Sequence, residues 1–286
     1  MEGVLPVAKG HCPVCGYTNG EHDLYCVKCM RPLRWPVKPQ SSKKNTLVAR
    51  EGTDTFIRGP NDALPKHKVR ANAGGDLIGP IGSWYSPTGL RYLIKFDIPA
   101  AFKTARVSME DFDLEEAILI LRLFPARDAE DDVPIAVFPL SRPFVEGEGR
   151  WGEHRRKEPG CNWYNYARGF PWANPGGDYF YSPVAKAVLP RKGSGEVEID
   201  VTEIFAEKFF FYQRTGVWTD YGMIIMRDQE KSSRCLFRMI YSFQSAPERD
   251  IAKTGSPWSS PSWWQRPKSS STGSESSVLS PELILR

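Results

Sequence analysis

Between residues 47 and 250 apolar positions recur with a period of two, in short runs separated by Gly, Pro and charged residues. The runs are Asp54–Arg58 (DTFIR), Arg91–Asp97 (RYLIKFD), Glu116–Phe124 (EAILILRLF), Ile135–Leu140, Val197–Val201, Gly222–Arg227 and Arg234–Phe243. Each is dense in β-branched and aromatic residues, so each predicts a strand. In the third run Ala117, Leu119, Leu121 and Leu123 alternate with Ile118, Ile120 and Arg122. Apolar side chains on both faces predict a central strand, one face in the core and the other partly covered. Short strands between turn-rich loops predict an antiparallel β-sandwich or jelly roll. One helix interrupts the alternation. Asp200 is its expected cap, Glu203 follows at capping-box spacing, and Val201, Ile204, Phe205, Phe209 and Tyr212 fall on one face. That helix is expected to close an end or edge of the sandwich.

The two ends of the chain read differently. Arg34–Asn45 (RWPVKPQSSKKN) has no apolar period and reads as a basic linker, assigned to residues 36–46. From Ile251 to Arg286 eleven residues are Ser, which predicts an extended tail that does not fold alone. Three of the chain's nine Trp, Trp258, Trp263 and Trp264, stand in this tail, and its end (VLSPELILR) is apolar again. The tail therefore reads as two anchors on a spacer, poised to grip another chain. Residues 1–45 carry a balance of +4, residues 46–250 of −2 and residues 251–286 of +2. So even a balance disfavours a protein devoted to neutralising phosphates. No apolar run is long enough to span a bilayer, and Met1–Gly16 shows no apolar core of a signal peptide. Synthesis in the cytoplasm, with incorporation into a particle or surface assembly, is the expectation.

The most specific motif lies in residues 1–35. Cys12-Pro-Val-Cys15 and Cys26-Val-Lys-Cys29 are separated by ten residues. Four thiolates in two CxxC turns match the tetrahedral preference of Zn²⁺, and a segment of about 35 residues needs the metal for most of its folding energy. The competing readings are two disulfides or a redox dithiol. The missing secretion signal and the missing βαβ pattern argue against them. A structural zinc held by Cys12, Cys15, Cys26 and Cys29 is expected; four Cys leave no open position for catalysis.

The stretch HCPVCGYTNGEHDLYCVKCMRPL resembles short N-terminal zinc-ribbon domains, departing from their pattern at Met30, where Gly is usual. That resemblance implies a compact metal-pinned head. A second resemblance covers about 200 residues. DTFIR, LIKFDIP, AILILRL, CNWYNYARGFPWANPGGDY, VEIDVTEI, YGMIIM and LFRMIYSFQSAPERD follow one another as in the DNRLRE-type jelly-roll family, which is similar to carbohydrate-binding modules. This implies a non-catalytic β jelly roll over residues 47–250, used for binding or adhesion. It also implies that Trp163 and Trp172 belong to the fold.

Candidate chemistry is sparse. The chain has four His and no GxSxG, HExxH, Walker or GxGxxG pattern. Glu146, Glu148 and Glu153 in VEGEGRWGEH are the best catalytic candidates, but nothing pairs them with a nucleophile, and no enzymatic activity is expected. Eight aromatic residues fall between Trp163 and Tyr181. Aromatic faces on a stiff loop stack on sugars or on proteins. Trp84, Tyr85, Tyr179, Tyr181, Trp258, Trp263 and Trp264 are the expected contact residues. The leading reading is a structural protein, a subunit docked into a larger virion-type or cell-surface assembly through its head and tail. A polysaccharide-binding module is the first alternative. Nucleic-acid binding through Lys28, Arg31, Arg34, Lys38, Lys43 and Lys44 is the second.

Overall fold

The computed structural model describes residues 46–60, 70–83, 89–125, 131–149, 160–228, 236–244 and 280–286, with Tyr17, Thr18 and Lys28 as isolated positions. They form a mostly β, antiparallel structure with two helices. The strands are β1 (Leu47–Ala49), β2 (Gly52–Arg58), β3 (Ile78–Ser83), β4 (Leu90–Phe96), β5 (Ala117–Leu123), β6 (Val133–Pro139), β7 (Asn165–Ala167), β8 (Phe170–Pro171), β9 (Ala185–Leu189), β10 (Gly195–Asp200), β11 (Met223–Arg227), β12 (Leu236–Tyr241) and β13 (Glu282–Leu285). The helices are α1 (Ile98–Ala105) and α2 (Thr202–Thr215). All the strands expected from alternation form, each within about two residues of its expected bounds.

The strand expected to be central is the hub. β5 pairs with β10 from Ile118↔Asp200 to Leu123↔Gly195, with β13 from Ala117↔Leu285 to Ile120↔Glu282, and with β12 at Leu123↔Ile240. A second group runs β2-β4-β11-β6-β9. The β3–β12 pair joins the groups, through Gly82↔Leu90 on one side and Ile240↔Leu123 on the other. Both groups send alternate side chains into one core, an arrangement consistent with a β-sandwich. Leu119, Leu121 and Leu123 of β5 meet Tyr92 and Ile94 of β4 and Ile225 of β11 there. The opposite parity of the second group is buried as well. Ile57, Leu93, Ile224 and Met226 form a separate cluster with Leu140, Cys161, Trp163 and Trp172. A sheet covered on both faces explains why YGMIIM and RYLIKF read as continuous apolar runs rather than clean alternation.

Two helices form where one was expected. In α1 the Asp97 side chain accepts from the Ala100 amide at 3.1 Å, and Pro99 sits in the first turn, where its missing N–H costs nothing. Only Ile98 and Phe102 of α1 are buried, too few for a visible period. The cap position of α2 is Val201, one residue past the expected Asp200. Asp200 still binds the first turn, accepting from the Thr202 amide at 2.9 Å and hydroxyl at 2.6 Å. Ile204, Phe205 and Phe209 are buried as expected. Phe210 joins them and Tyr212 is only half-buried. Gly216 ends the helix in the left-handed region at φ 69°.

The chain's last residues correct the sequence reading. The apolar end expected to anchor on another chain is β13, inserted between β1 and β5 of its own sheet. Leu283 and Leu285 are fully buried. Glu282 accepts from Arg50 and, at 2.7 Å, from Arg122, while the amides of Glu115 and Glu116 donate to the Arg286 carbonyl. The hydrophobic drive that suggested an intermolecular grip is satisfied within the fold. Residues 251–279 are therefore part of a connection tethered at both ends, from β12 to β13. Residues 1–16, the basic stretch 36–45 and Trp258, Trp263 and Trp264 lie outside the described residues. Leu283→Ala and Leu285→Ala should each lower unfolding free energy by roughly 2–5 kcal/mol in urea titrations, as buried Leu truncations do. Ile284→Ala, on the half-exposed face, should cost much less. Equal effects at all three positions would contradict the insertion.

Candidate contact surface and the polar network beneath it

The segment 160–182 crosses the outer face of the β2-β4-β11-β6-β9 group. Its inner side chains are fixed first. Trp163 and Trp172 are buried against Leu93, Ile224 and Met226, and the Trp172 indole N–H donates to the Asn162 carbonyl at 2.8 Å. The Asn162 side chain accepts from the amides of Tyr164 (2.9 Å) and Asn165 (3.2 Å), a turn that launches the β7–β8 hairpin. Asp178 accepts from the amides of Ala173 and Asn174, both at 2.9 Å, and pairs with Arg142 Nε at 3.1 Å. Arg91 reaches up from β4. Its guanidinium lies 4.6 Å from the Trp163 ring centre and donates to the Gly176 carbonyl at 2.6 Å. Gly176 has φ +99°, and a Cβ there would stand 2.8 Å from the Trp163 ring. Only glycine meets both demands.

What this bracing leaves outside is aromatic. Tyr181 is 77% exposed, Phe170 58% and Phe180 48%. Half-buried rings support them. Tyr179 meets Tyr181 edge-on at 5.6 Å and lies tilted against Phe138 at 5.2 Å, and Tyr166 lies 5.9 Å from Phe170. Arg142 covers the Tyr166 ring at 5.1 Å while holding Asp178, so it joins the hairpin to the Asp178–Tyr181 turn. Of the contact residues expected from the sequence, Tyr181 is on this surface and Tyr179 is its support. Trp84 and Tyr85 lie outside the described residues. Phe170 and Phe180 stood in the aromatic run but nothing in the local pattern marked them as exposed. Arg91 and Arg142 carried no signal, because cation–ring stacking joins residues far apart in sequence.

Below the hairpin lies a buried polar network. The Asn72 side chain donates to the carbonyls of Glu146 and Cys161 and accepts from the amides of Gly74 and Gly149. Asp54, buried in β2, accepts from the Tyr92 hydroxyl and the Phe243 amide, both at 2.6 Å. Glu146 Oε1 accepts from the Asp54 amide at 2.9 Å and from Gln244 at 2.7 Å. The first catalytic candidate is thus an acceptor that ties the 141–149 loop to β2. Glu148 is exposed, and Glu153 lies outside the described residues. Cys161 is buried, which pushes its thiol pKa up and leaves it a small apolar packing group; Cys235 lies outside the described residues. Among the described residues no cluster of three or more His, Cys, Asp or Glu is placed to hold a metal ion, and no helix is long and apolar enough to cross a membrane. The four Cys expected to bind zinc lie outside the described residues.

No protein-family model matches the chain, and no curated protein matches it.

Burial raises Asp54 from 3.8 to about 7, outweighing its two donors, with Glu146 adding repulsion; burial raises Glu146 too. The folded chain therefore holds a proton that the unfolded chain releases between about pH 4 and pH 7. Stability should fall as pH rises through that window and level off above it. Asp54→Asn keeps an acceptor for Tyr92 and Phe243 without the charge. It should flatten most of the decline in Tm between pH 5 and pH 8, followed by circular dichroism. A slope identical to the parent's would remove Asp54 as its source.

Proposed function

We propose that the chain is a non-enzymatic interaction protein, a jelly-roll subunit that presents the Tyr164–Tyr181 surface to another protein of a larger assembly, with a zinc-ribbon head as a second contact. The observation that carries this reading is the exposure of Tyr181, Phe170 and Phe180 on a segment whose backbone is fixed by Asn162, Asp178 and Arg91. Holding large apolar rings in water forgoes burial free energy of roughly 1.5–3 kcal/mol each. Stiff aromatic groups of this kind lose little entropy when a partner covers them. The C-terminal grip expected from the sequence is not part of the proposal, since β13 is occupied in its own sheet. Trp258, Trp263 and Trp264 remain contact candidates, carried on the connection between β12 and β13.

The head contributes through its donor set. Cys12, Cys15, Cys26 and Cys29 supply four soft thiolates, which saturate one tetrahedral Zn²⁺ and give it a structural part. Lys28, in a turn and exposed, lies between two of them and adds positive charge to the head.

A second reading, polysaccharide binding, draws on the same surface. Tyr181 exposes a ring, and the partly exposed Arg142 lies over the Tyr166 ring of the hairpin, the kind of aromatic and cationic groups that sugar rings exploit. Nucleic-acid binding through the head has only the charge of its lysines and arginines in support.

Sedimentation velocity of the full-length chain over a range of concentrations should show association that Phe170→Ser and Tyr181→Ser weaken without lowering Tm. Trp172→Ala should instead cost roughly 3–5 kcal/mol of stability, the usual loss for a buried Trp. A chain that stays monomeric throughout yet is retarded by polysaccharide in affinity gels, with Tyr181→Ser restoring mobility, would favour the second reading. Metal analysis should return one zinc per chain, and Cys15→Ser should release it while leaving the far-ultraviolet β signal intact. A zinc content unchanged by Cys15→Ser would contradict the ligand set.

A further inference from the structure

β12 and β13 lie on the same edge of β5, and their registers run on. Both are antiparallel to it, with Ile240 opposite Leu123 and Glu282 opposite Ile120. Had β12 continued past Tyr241, residue 243 would stand opposite Ile120; Glu282 stands there instead. The facing agrees as well. Leu236, Arg238 and Ile240 of β12 are its buried positions, and Leu283 and Leu285 take up the same alternate row after the break. The other edge is shared in the same order, by β3 from Leu236↔Ser83 to Tyr241↔Ile78 and then by β1 from Leu283↔Ala49 to Leu285↔Leu47. Both sides of the break are pinned. On the leaving side the Ser242 amide donates to the Leu77 carbonyl at 3.0 Å, the Phe243 amide to Asp54 at 2.6 Å and the Gln244 side chain to Glu146 at 2.7 Å. On the returning side Arg122, which stands on β5 between Ile120 and Leu123, donates to the Ser280 carbonyl and, at 2.7 Å, to Glu282.

We infer that β12 and β13 are two halves of one strand, and that residues 245–279 are an insert in it which the sandwich does not need, left to serve contacts with other proteins; that last clause rests on the function proposed above. Register and facing carry the first part together. A slip of one residue at the break would turn Leu283 and Leu285 outward, so a strand that met β5 without continuing β12 has no reason to keep both. The bonds that close the break come from residues 242–244 and 280–282, and none of those named comes from the connection itself. Its length enters folding through closure entropy, which grows with the logarithm of length, so a long insert costs little more than a short one. Trp258, Trp263 and Trp264 stand on this insert, and their removal decides whether the sandwich uses them.

Two deletions from the full-length chain separate these parts. Removing residues 266–279 keeps the three Trp. Removing residues 251–279 takes them away and leaves residues 245–250 between Gln244 and Ser280, a link that reaches about 20 Å. Both variants should keep the parent's far-ultraviolet β signal. Their Tm should equal the parent's or lie about 2–4 °C above it, because a shorter closure loses less entropy. Replacing residues 251–279 by an equal length of Gly and Ser removes strain in the short link as a cause of failure, and that chain should also keep the parent's Tm. A Tm more than about 5 °C lower in the Gly/Ser chain would overturn the inference, since the sandwich would then depend on the insert. In sedimentation velocity the association predicted above should survive removal of 266–279 and weaken about tenfold when the Trp segment goes. Unchanged association of a folded Gly/Ser chain would overturn the contact role alone, so the strand inference and the proposed function fail separately.

Discussion

Insertion of β13 between β1 and β5 is the constraint on which the rest of the sheet depends. β1 has no other strand partner among the described residues, and the start of β5 has β13 along the edge that β10 does not cover. Leu283 and Leu285 complete a row that continues into Leu47, Ala49, Ala117 and Leu119. The Arg50–Glu282–Arg122 group fixes the register, because a shift by one residue would aim Glu282 into the core and Leu283 into water. Burial in such a pair is tolerable only with both cations present, and Arg122 with Arg50 holds the Glu282 carboxyl below its ordinary pKa despite burial. The core is therefore sealed by residues more than 160 positions away from the strand they complete. Contacts of that range are slow to form and cannot precede synthesis of β13.

With that face sealed, the second group can afford a burial pattern of its own on the outside. Leu93 and Ile224 point away from the main core, and the 160–182 segment covers them with Trp163 and Trp172. The covering is what makes the surface aromatic. A segment that must send two indoles inward and close its turns through Asn162, Asp178 and Gly176 has few remaining rotamers for the residues between. Tyr164, Phe170 and Tyr181 project because their neighbours are committed. Stability and presentation thus share one set of hydrogen bonds, and Trp172 and Tyr181 separate the two experimentally.

Much of this was legible in the alternation of residues. β2, β4, β5, β6, β10, β11 and β12 each carry a local apolar signal, and α2 carries both a face and an Asp at its start. The elements that escaped are those whose signal is not local. β3 (IGPIGS) holds Gly79 where the Tyr92 ring, and Gly82 where the Leu236 carbonyl, pack too closely for a side chain, so its strand character is set by neighbours. β9 buries little. β13 has four residues behind a Ser-rich stretch, and its apolar pattern suits an edge in another molecule as well as one in its own. The Asp97-Ile98-Pro99 start of α1 is a cap followed by a first-turn Pro, but Asp97 also closes the apolar run of β4, and only two residues of the helix are buried. The site divides in the same way. The aromatic run was visible, whereas Arg91, Arg142 and the Asp54–Glu146 link join residues tens of positions apart.

Placing β13 inside the sheet also changes what the Trp258, Trp263 and Trp264 cluster can do. A free tail would search a volume set by its whole length and would lose that freedom on docking. A connection between Tyr241 and Glu282 is closed when the sheet forms, because both ends belong to strands that pair with β5. The closure penalty grows only logarithmically with length, so the folding free energy of β13 absorbs it once. A partner already held by another surface of the molecule would meet the three Trp at a raised effective concentration. The same tether forbids the reach that a terminal arm would have. A connection closed at both ends reaches about half as far from the sheet as a free arm of the same length, so its contacts lie nearer the sandwich than a terminal arm's would.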